Sequence, residues 1–349
     1  MLEDWQTFLE EQGANILANR IESFKSSDAE IKDNSLILSD LSHYSLVKVS
    51  GSEASSFLQG QLSNDINAVS TDQSQMSSYC SPKGRVLAFF RIFQLENNYF
   101  LSFPSDIAEK TLQRLRMFVM RSDVTFTDVT AEFFHFGLSG SITEAESALK
   151  DVLKITNVPS ETDQAIETNQ ISLQKLPDSK QARYEIFGPY EQAKELWKAF
   201  AQHGQAVAQS IWELQRIHAG VPEVTSNIVD AFVPQMLNLQ LINAVNFQKG
   251  CYPGQEIVAR TKYLGKLKKR LYLAEITTEN PIEVGTDLFE SGDNQQSVGK
   301  IVSSAHNLKG AISVLVVLRI SATSNQPLFL ENKSGPQIEL LDLPYKTEE

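Results

Sequence analysis

A change of pattern near residue 271 constrains the fold more than any other feature of the sequence. Before it, strand and helix patterns follow one another irregularly, as in the strand Arg183 to Phe187 and the helix Tyr190 to Gln202. After it come six short strand patterns without an obvious helix, at 271–276, 286–290, 298–302, 312–318, 327–331 and 337–341. This order predicts an α+β fold with antiparallel sheets, followed by a small C-terminal β-barrel or sandwich.

The length and the N-terminal pattern divide the chain further. Its 349 residues exceed what one hydrophobic core usually serves, so two or three subdomains are expected. Apolar residues spaced through 2–24 predict one or two amphipathic helices packed on the outside. We expect a helical extension over 1–34, an α+β body of two subdomains over 35–264 and the barrel over 265–349.

Charge and composition exclude several classes of function. A net charge of −12 argues against stable nucleic-acid binding, which needs many cations on one face. No apolar stretch is long enough to span a membrane, and the acidic N-terminus lacks the regions of a signal peptide. Two distant cysteines do not make a disulfide scaffold, so a reducing cytosol is expected. A monomer is the default expectation.

One basic run departs from this acidic background. It contains Lys262, Lys266, Lys268, Lys269 and Arg270. Such a run on an acidic chain is either a solvated turn before a strand or a site for a small polyanion, such as a polycarboxylate tail.

The stretch Lys249-Gly250-Cys251-Tyr252-Pro253-Gly254-Gln255-Glu256 concentrates reactive side chains in a tight connection. Two glycines and a proline fix the backbone around the thiol, which is typical of a placed cysteine. Cys251 is then a nucleophile or a sulfur or metal contact, with thiolate character if Lys249 or Arg260 folds back on it. The alternative is a packing residue. A complete four-thiolate cluster is impossible within a chain of two cysteines, which leaves open a transient or shared cluster ligand. The histidines show no metal-ligand spacing, so no metal site is predicted.

This stretch resembles the signature of the YgfZ family, folate-binding relatives of the glycine cleavage system T protein. Three further stretches agree with the family pattern: Phe57 to Asp65, Lys83-Gly84-Arg85, and Pro234-Gln235 followed by Asn238-Leu239. The resemblance runs from about Leu41 to the C-terminus. It implies two α+β subdomains and a small C-terminal β-barrel around a central folate-binding hole.

The resemblance also implies a function and a set of site residues. It implies a tetrahydrofolate-binding accessory protein that supports iron–sulfur enzymes, including those that modify tRNA, with Cys251 as the essential thiol. Trp212 matches a tryptophan near folate, and Tyr44 stands where better-known members carry tryptophan. Further candidate folate contacts are Gln59, Gln61, Asn64, Asp65, Tyr252, Gln255 and Glu256.

Two departures from the family pattern keep other functions open. The T protein carries an aspartate where this chain has Leu87 and Ala88, so aminomethyl transfer lacks its proton carrier. His218 stands where relatives usually have glutamate, and a neutral imidazole accepts fewer hydrogen bonds from a pterin than a carboxylate does. The alternatives are a folate-dependent one-carbon transferase, and a protein- or RNA-binding module with a vestigial folate site.

Overall fold

A computed structural model describes residues 1–25, 35–178, 180–291, 296–307, 310–323 and 326–347. Contacts divide the chain into two compact units. The first unit comprises 1–57, 66–76 and 90–212, and the second comprises 58–65, 77–89 and 213–349. The predicted boundary at residue 34 lies outside the described residues, and the predicted domain limits stay a prediction. No helix in the described ranges combines the length and the apolar character that a membrane crossing requires.

A six-stranded sheet forms the centre of the first unit, with the order β10–β11–β12–β9–β3–β13. Its strands are β3 (Ile37–Asp40), β9 (Phe133–Gly140), β10 (Ala165–Thr168), β11 (Ile171–Lys175), β12 (Ala182–Pro189) and β13 (Gln205–Ala206). The pairings are antiparallel except that of β13 with β3. Directly paired residues of neighbouring strands point to the same face of a sheet, so the register defines which residues share a face.

One face of this sheet is covered by helices. These are α1 (Glu3–Glu11), α4 (Ile142–Leu153) and α5 (Ala193–Phe200). Phe136, Leu138 and Ile186 from the sheet pack in one core with Trp5 and Trp197 from the helices. The local sequence explains the start of α4, because Ser141 accepts a hydrogen bond from the backbone of Glu144 and donates to its carboxylate.

The N-terminal segment corrects part of the sequence prediction. Helix α1 forms as expected, but it ends at Glu11. The next residues form a two-stranded hairpin of β1 (Ala14–Leu17) and β2 (Arg20–Phe24), so the prediction of a wholly helical extension is wrong. Ile21 and Phe24 are buried in the core of the first unit, so packing against this core and pairing with β1 decide for a strand in place of a helix.

A five-stranded sheet has the order β5–β6–β7–β4–β8. Its strands are β4 (Tyr44–Ser50), β5 (Gln75–Cys80), β6 (Val86–Leu95), β7 (Asn98–Pro104) and β8 (Thr125–Asp128). Strands β6 and β7 form an antiparallel hairpin. The remaining helices are α2 (Ala54–Gln61), α3 (Ala108–Val119), α6 (Gln209–His218) and α7 (Gln255–Tyr263).

The second unit contains a closed barrel with the order β14–β17–β16–β15–β18–β19. Its strands are β14 (Lys269–Ile276), β15 (Asp287–Glu290), β16 (Gly299–His306), β17 (Ile312–Arg319), β18 (Leu328–Leu330) and β19 (Gln337–Leu341). Each of the six predicted strand patterns corresponds to one of these strands, so the predicted barrel is confirmed. The fold class is α+β with a C-terminal barrel, as expected.

Candidate functional site

The two cysteines differ sharply in their surroundings. Cys251 is exposed, in the loop that precedes α7, whereas Cys80 is buried at the end of β5. Burial raises the pKa of the Cys80 thiol to about 12, against a smaller lowering by its contact with Ser78. A thiol with so high a pKa stays protonated at neutral pH and is a poor nucleophile. Cys251 is therefore the thiol that an external reactant can reach.

A close backbone contact positions the loop that carries Cys251. Gly254 has a φ of +80°, and a Cβ atom there would lie 2.4 Å from the Ser81 carbonyl oxygen and 2.6 Å from Gly84 Cα. Gly84 itself has a φ of +68°. Since side chains fit neither the torsion nor the distance, both positions require glycine. The structure thus brings together two stretches of the signature pattern that lie far apart in the sequence.

Lys249 is buried, and its amine lies at the end of helix α2. Its Nζ donates to the carbonyl oxygens of Gln59 and Leu62, at 2.6 and 2.7 Å, and lies 5.4 Å from the centre of the Tyr252 ring. Burial lowers the pKa of Lys249 to about 8, and the charge of Asp65 opposes this shift. The two hydrogen bonds go to backbone carbonyls and not to Cys251, so Lys249 holds the signature loop against the end of α2.

The polar loop after α2 is fixed by its own side chains and by the segment before the signature. Gln59 donates to Asp65 at 2.9 Å, and Asn64 donates to the Asn243 carbonyl at 2.7 Å. The Oε1 atom of Gln61 is buried without a hydrogen-bond partner among the described residues. Of these four predicted folate contacts, Gln59 and Gln61 belong to the last turn of α2, where a loop was expected, and Asn64 and Asp65 follow it. Gln61 is the member of this group with an unused acceptor among the described residues.

The remaining candidates of the signature belong to helix α7 or its approach. Tyr252 is buried, and burial raises the pKa of its phenol, with a smaller effect from Cys80. Gln255 begins the helix half-buried, whereas Glu256 and Arg260 are exposed on its first and last turns. In this structure Arg260 and Glu256 are surface groups of the second unit.

The other predicted aromatic contacts, Trp212 and Tyr44, meet on the second face of the six-stranded sheet. Trp212 is 1% exposed, and its ring lies so close to Gly137 that a Cβ there would be 2.8 Å from three ring atoms. The Arg183 guanidinium lies 4.5 Å from the centre of the ring, and Tyr44 packs against the same cluster. The Trp212 ring is therefore almost fully covered by its neighbours in the protein, which include Gly137 and Arg183.

The same face carries an unusual set of buried polar atoms. Five of them lack a hydrogen-bond partner within the described ranges: Ser39 Oγ, His135 Nε2, Gln174 Oε1, Glu185 Oε2 and, at the start of α6, Gln209 Oε1. The register places the sheet members together, because Ser39 and Glu185 both pair with Gly137, and Gln174 pairs with Glu185. Buried polar groups without partners are rare, and they commonly mark a bound water or ligand.

Glu185 is the charged centre of this face and was not predicted from the sequence. Its Oε2 lies 3.6 Å from His135 Nε2, and 13% of its side chain remains exposed. Burial raises its pKa, but the contact with His135 and the charges of Arg91 and Arg183 outweigh this and lower the pKa below 4.5. The carboxylate is therefore ionised at neutral pH. Alternation of Arg183 and Glu185 with apolar Tyr184 and Ile186 was the signal available in the sequence.

The two departures from the family pattern also have structural counterparts. His218 lies at the end of α6, and its Nε2 is 3.1 Å from Ser313 Oγ on barrel strand β17. This contact gives His218 a structural role within the second unit. Ala88 is fully buried in β6, next to half-buried Leu87, so apolar side chains occupy the position expected for a catalytic carboxylate. Within the described residues no group of three potential metal-ligating side chains was found.

Comparison with known proteins defines the class of this fold. The family model of the GCVT N-terminal domain matches residues 7–249. The glycine cleavage system aminomethyltransferase T from Bartonella henselae has a similar structure, with a TM-score of 0.79 over 97% of this chain and 96% of that one. At 17% sequence identity this likeness concerns the fold alone.

Curated relatives narrow the class to one family. A protein of Colwellia psychrerythraea named tRNA-modifying protein YgfZ is 31% identical over 292 residues, which covers 83% of this chain and 87% of that protein. A protein of the same name from Yersinia enterocolitica is 27% identical over 317 residues, 90% of this chain and 94% of its own length. This chain is therefore a GCVT-domain protein of the YgfZ family.

Proposed function

We propose that this protein binds tetrahydrofolate or a derivative and acts in the cytoplasm as an accessory factor for iron–sulfur enzymes, including enzymes that modify tRNA. The name of its curated relatives supports the link to tRNA modification. The observation that carries the folate part is the polar face of the six-stranded sheet. Its buried polar atoms without hydrogen-bond partners in the described residues share a face with Gly137, which lies against the Trp212 ring.

This face has the chemistry that a reduced pterin requires. A pterin presents an amine and a ring N–H next to a carbonyl, and a carboxylate can accept from both donors. Glu185 is ionised and partly exposed beside the aromatic cluster of Trp212 and Tyr44. We assign a pterin contact to Glu185, whereas His218 contacts Ser313 Oγ within the second unit.

Titration with tetrahydrofolate tests the proposed binding. Saturable quenching or a shift of tryptophan fluorescence is expected, and it should be lost in Trp212→Phe, which leaves Trp5 and Trp197 as internal controls. Calorimetry on the same variant separates loss of the signal from loss of binding. Absence of binding to the unmodified protein would favour the alternative of a vestigial folate site. The other alternative is a one-carbon transferase. Catalytic turnover of an aminomethyl donor would support it, although apolar Ala88 stands where the catalytic carboxylate is expected.

The accessory role depends on the exposed thiol. We expect Cys251→Ala to fold and to bind tetrahydrofolate nearly normally, because the side chain is exposed and outside the polar face. It should fail to restore thiolated and methylthiolated nucleosides in tRNA from a deletion strain, as measured by mass spectrometry. Cys80→Ala is the matched control, although its buried site carries a packing cost. Full restoration by Cys251→Ala would refute the role of the thiol.

A further inference from the structure

A pocket in the second unit lies at the basic run identified in the sequence. Its volume is about 340 Å³, and among the described residues it is lined by three cations, Lys262, Lys266 and Arg270, and by no acidic side chain. Arg270 donates to the Thr347 carbonyl through one terminal nitrogen, whereas its Nε is buried without a hydrogen-bond partner in the described part of the chain. A concave site lined by one sign of charge attracts ions of the opposite sign, so the pocket favours an anionic ligand.

The pocket also has an apolar part. Phe247, Leu267 and Ile320 line it, and Ile320 is 36% exposed. The end of α7 continues this apolar surface, because Leu264 is 84% exposed directly before the lining residue Gly265. Burial of aliphatic side chains stabilises a complex, so we expect a ligand that carries apolar groups beside its anions.

Two amide oxygens in the pocket lack hydrogen-bond donors. Gln235 is 4% exposed, and its Nε2 donates to the Val258 carbonyl at 2.6 Å, which fixes the orientation of the amide. Its Oε1, like that of Gln240, is buried and has no hydrogen-bond partner among the described residues. Buried acceptors of this kind commonly mark a bound water or ligand. An ionised carboxylate or a phosphodiester offers no donor to these oxygens, whereas the backbone N–H groups of a peptide do.

The aromatic ring of the pocket favours a peptide over a nucleic acid. Lys262 Nζ lies 4.5 Å from the centre of the Phe247 ring, and the Tyr263 ring meets it edge-on at 6.3 Å between centres. Single-stranded nucleic acids depend on aromatic faces on which their bases stack. Because other side chains already contact the Phe247 ring, it is not a free platform for a base.

We propose that this pocket binds an acidic and partly apolar segment of a partner protein in an extended conformation. Lys262, Lys266 and Arg270 bind its carboxylates. The Oε1 atoms of Gln235 and Gln240 accept from its backbone N–H groups. Successive side chains of an extended peptide point to opposite sides, so carboxylates and apolar groups reach different walls of the pocket. The inference rests on the proposed accessory function for the kind of partner, a client protein, whereas the pocket itself is tested with peptides alone.

The experiment measures binding of an acetylated, amidated octapeptide of alternating glutamate and leucine to the full chain at low salt, by fluorescence anisotropy of the labelled peptide. We expect saturable binding that weakens about tenfold in the double variant Lys262→Gln with Lys266→Gln, since each accessible ion pair contributes up to about fivefold. Lys268→Gln is the matched control, because Lys268 belongs to the same basic run but does not line the pocket.

A second peptide tests the two amide acceptors. Replacement of alternate backbone amides of the octapeptide by esters removes N–H donors and keeps the charge and the side chains. The affinity should fall by about threefold to tenfold, because hydrogen bonds to the glutamine oxygens are lost. Unchanged affinity would overturn the inference in favour of a site for any anion.

The remaining outcomes separate this inference from the proposed function. Absence of saturable binding, or equal binding of a lysine–leucine octapeptide, would overturn the inference whether or not tetrahydrofolate binds. Displacement of the bound peptide by octauridine RNA at equal or lower concentration would overturn it in favour of a nucleic-acid site. In the deletion strain, the double variant should bind tetrahydrofolate normally but restore modified tRNA nucleosides less well than Lys268→Gln. Full restoration by a double variant that no longer binds the peptide would refute a client protein as the occupant.

Discussion

The two faces of the six-stranded sheet differ in polarity: one is an apolar, closely packed core, and the other carries buried polar groups. The face toward α1, α4 and α5 is apolar, and its rings pack closely, with Trp197 at 5.2 Å from Phe136 between ring centres. The buried hydroxyl of Tyr184, which belongs to that core, donates to the Pro159 carbonyl at 3.2 Å. The opposite face, over which Trp212 lies, contains Ser39, His135, Gln174 and Glu185, each with a buried polar atom that lacks a hydrogen-bond partner in the described residues. The nearest approach among these atoms is the 3.6 Å contact between His135 Nε2 and Glu185 Oε2.

This difference indicates that the apolar face of the sheet stabilises the fold, whereas the polar face serves ligand binding. Burial of apolar area stabilises the folded state, whereas burial of an unpaired polar group costs about 1–3 kcal/mol. Asp40 shows how this unit satisfies a buried carboxylate with its own side chains: Trp5 and Ser42 donate to it at 2.8 and 2.6 Å. The polar face leaves comparable groups without such partners, which is the arrangement expected of a surface completed by a ligand.

The largest expected effect is on the apolar face. Trp197→Ala should lower the free energy of unfolding by about 3–5 kcal/mol, because it leaves a cavity beside Trp5, Phe24 and Phe136. Chemical denaturation measures the loss, and a variant that remains folded should keep its affinity for tetrahydrofolate. A strong loss of tetrahydrofolate affinity in Trp197→Ala, with unchanged stability, would contradict the assignment of stability to the apolar face and of binding to the polar face.

Gly137→Ala tests the contact between the polar face and Trp212. The added methyl group would lie 2.8 Å from the indole ring, so the ring must move, at a cost of about 2–3 kcal/mol in stability. Tetrahydrofolate affinity should also fall in this variant. Movement of the Trp212 ring disturbs Tyr44, which packs in the same cluster, and both are proposed folate contacts. The control is Gly310→Ala, where a Cβ meets nothing within 4 Å, although its φ of +81° carries a backbone cost. Unchanged binding in a folded Gly137→Ala protein would remove Trp212 from the site.

The sequence predicted much of the fold, because its signals are local. Six strand patterns separated by turns predicted the six strands of the barrel, since each pattern needs only its own residues to be read. The hairpin Ala14 to Phe24 was misread as helix, because short apolar segments fit both periods and the partner strand decides between them. The glycines of the family signature marked Cys251 as a placed thiol. The structure shows why residue 254 is glycine, because a Cβ atom there would clash with Gly84.

The polar face could not be predicted, because it depends on register across distant strands. Glu185 pairs with Gly137, 48 residues away in β9, and with Gln174 in β11, and Gly137 lies against the ring of Trp212. Lys249 was predicted as a partner of Cys251, but its hydrogen bonds go to the Gln59 and Leu62 carbonyls. Backbone acceptors carry no signature in the sequence, so tertiary contacts alone reveal them.

Glu185→Gln changes the charge of the polar face with little change in shape. We expect a loss of about tenfold or more in tetrahydrofolate affinity, since a charge-assisted hydrogen bond is replaced by a neutral one. Stability should fall by about 1–2 kcal/mol at neutral pH, because the buried negative charge near Arg183 is lost. The exposed Glu191→Gln serves as the control. An unchanged affinity would exclude Glu185 as the pterin contact.

The same variant gives a pH test of the two faces. The folded-state pKa of Glu185 lies below its ordinary 4.5, so its contribution to stability is present above pH 4.5 and is lost as the pH falls through the folded-state pKa. The difference in unfolding free energy between the unmodified protein and Glu185→Gln should therefore shrink below about pH 4.5. The deficit of Trp197→Ala should stay nearly constant over the same range, because no titrating group is removed.

Ser39→Ala gives the smallest expected effect and the sharpest test of the unpaired atoms. Ser39 is fully buried on β3, and its hydroxyl oxygen has no hydrogen-bond partner in the described ranges. Its removal should change the free energy of unfolding by less than about 0.5 kcal/mol, or stabilise the protein, since no hydrogen bond is lost and the burial cost of the hydroxyl disappears. Ser63→Ala is the matched control, because the buried Ser63 hydroxyl contacts Ser78 Oγ and donates to the Ala244 carbonyl. It should cost about 1–3 kcal/mol. An equal loss of unfolding free energy for both variants would mean that water already hydrogen-bonds to the Ser39 hydroxyl in the free protein. Unchanged stability of Ser39→Ala together with weakened tetrahydrofolate binding would mean that the ligand supplies the hydrogen-bond partner of this hydroxyl.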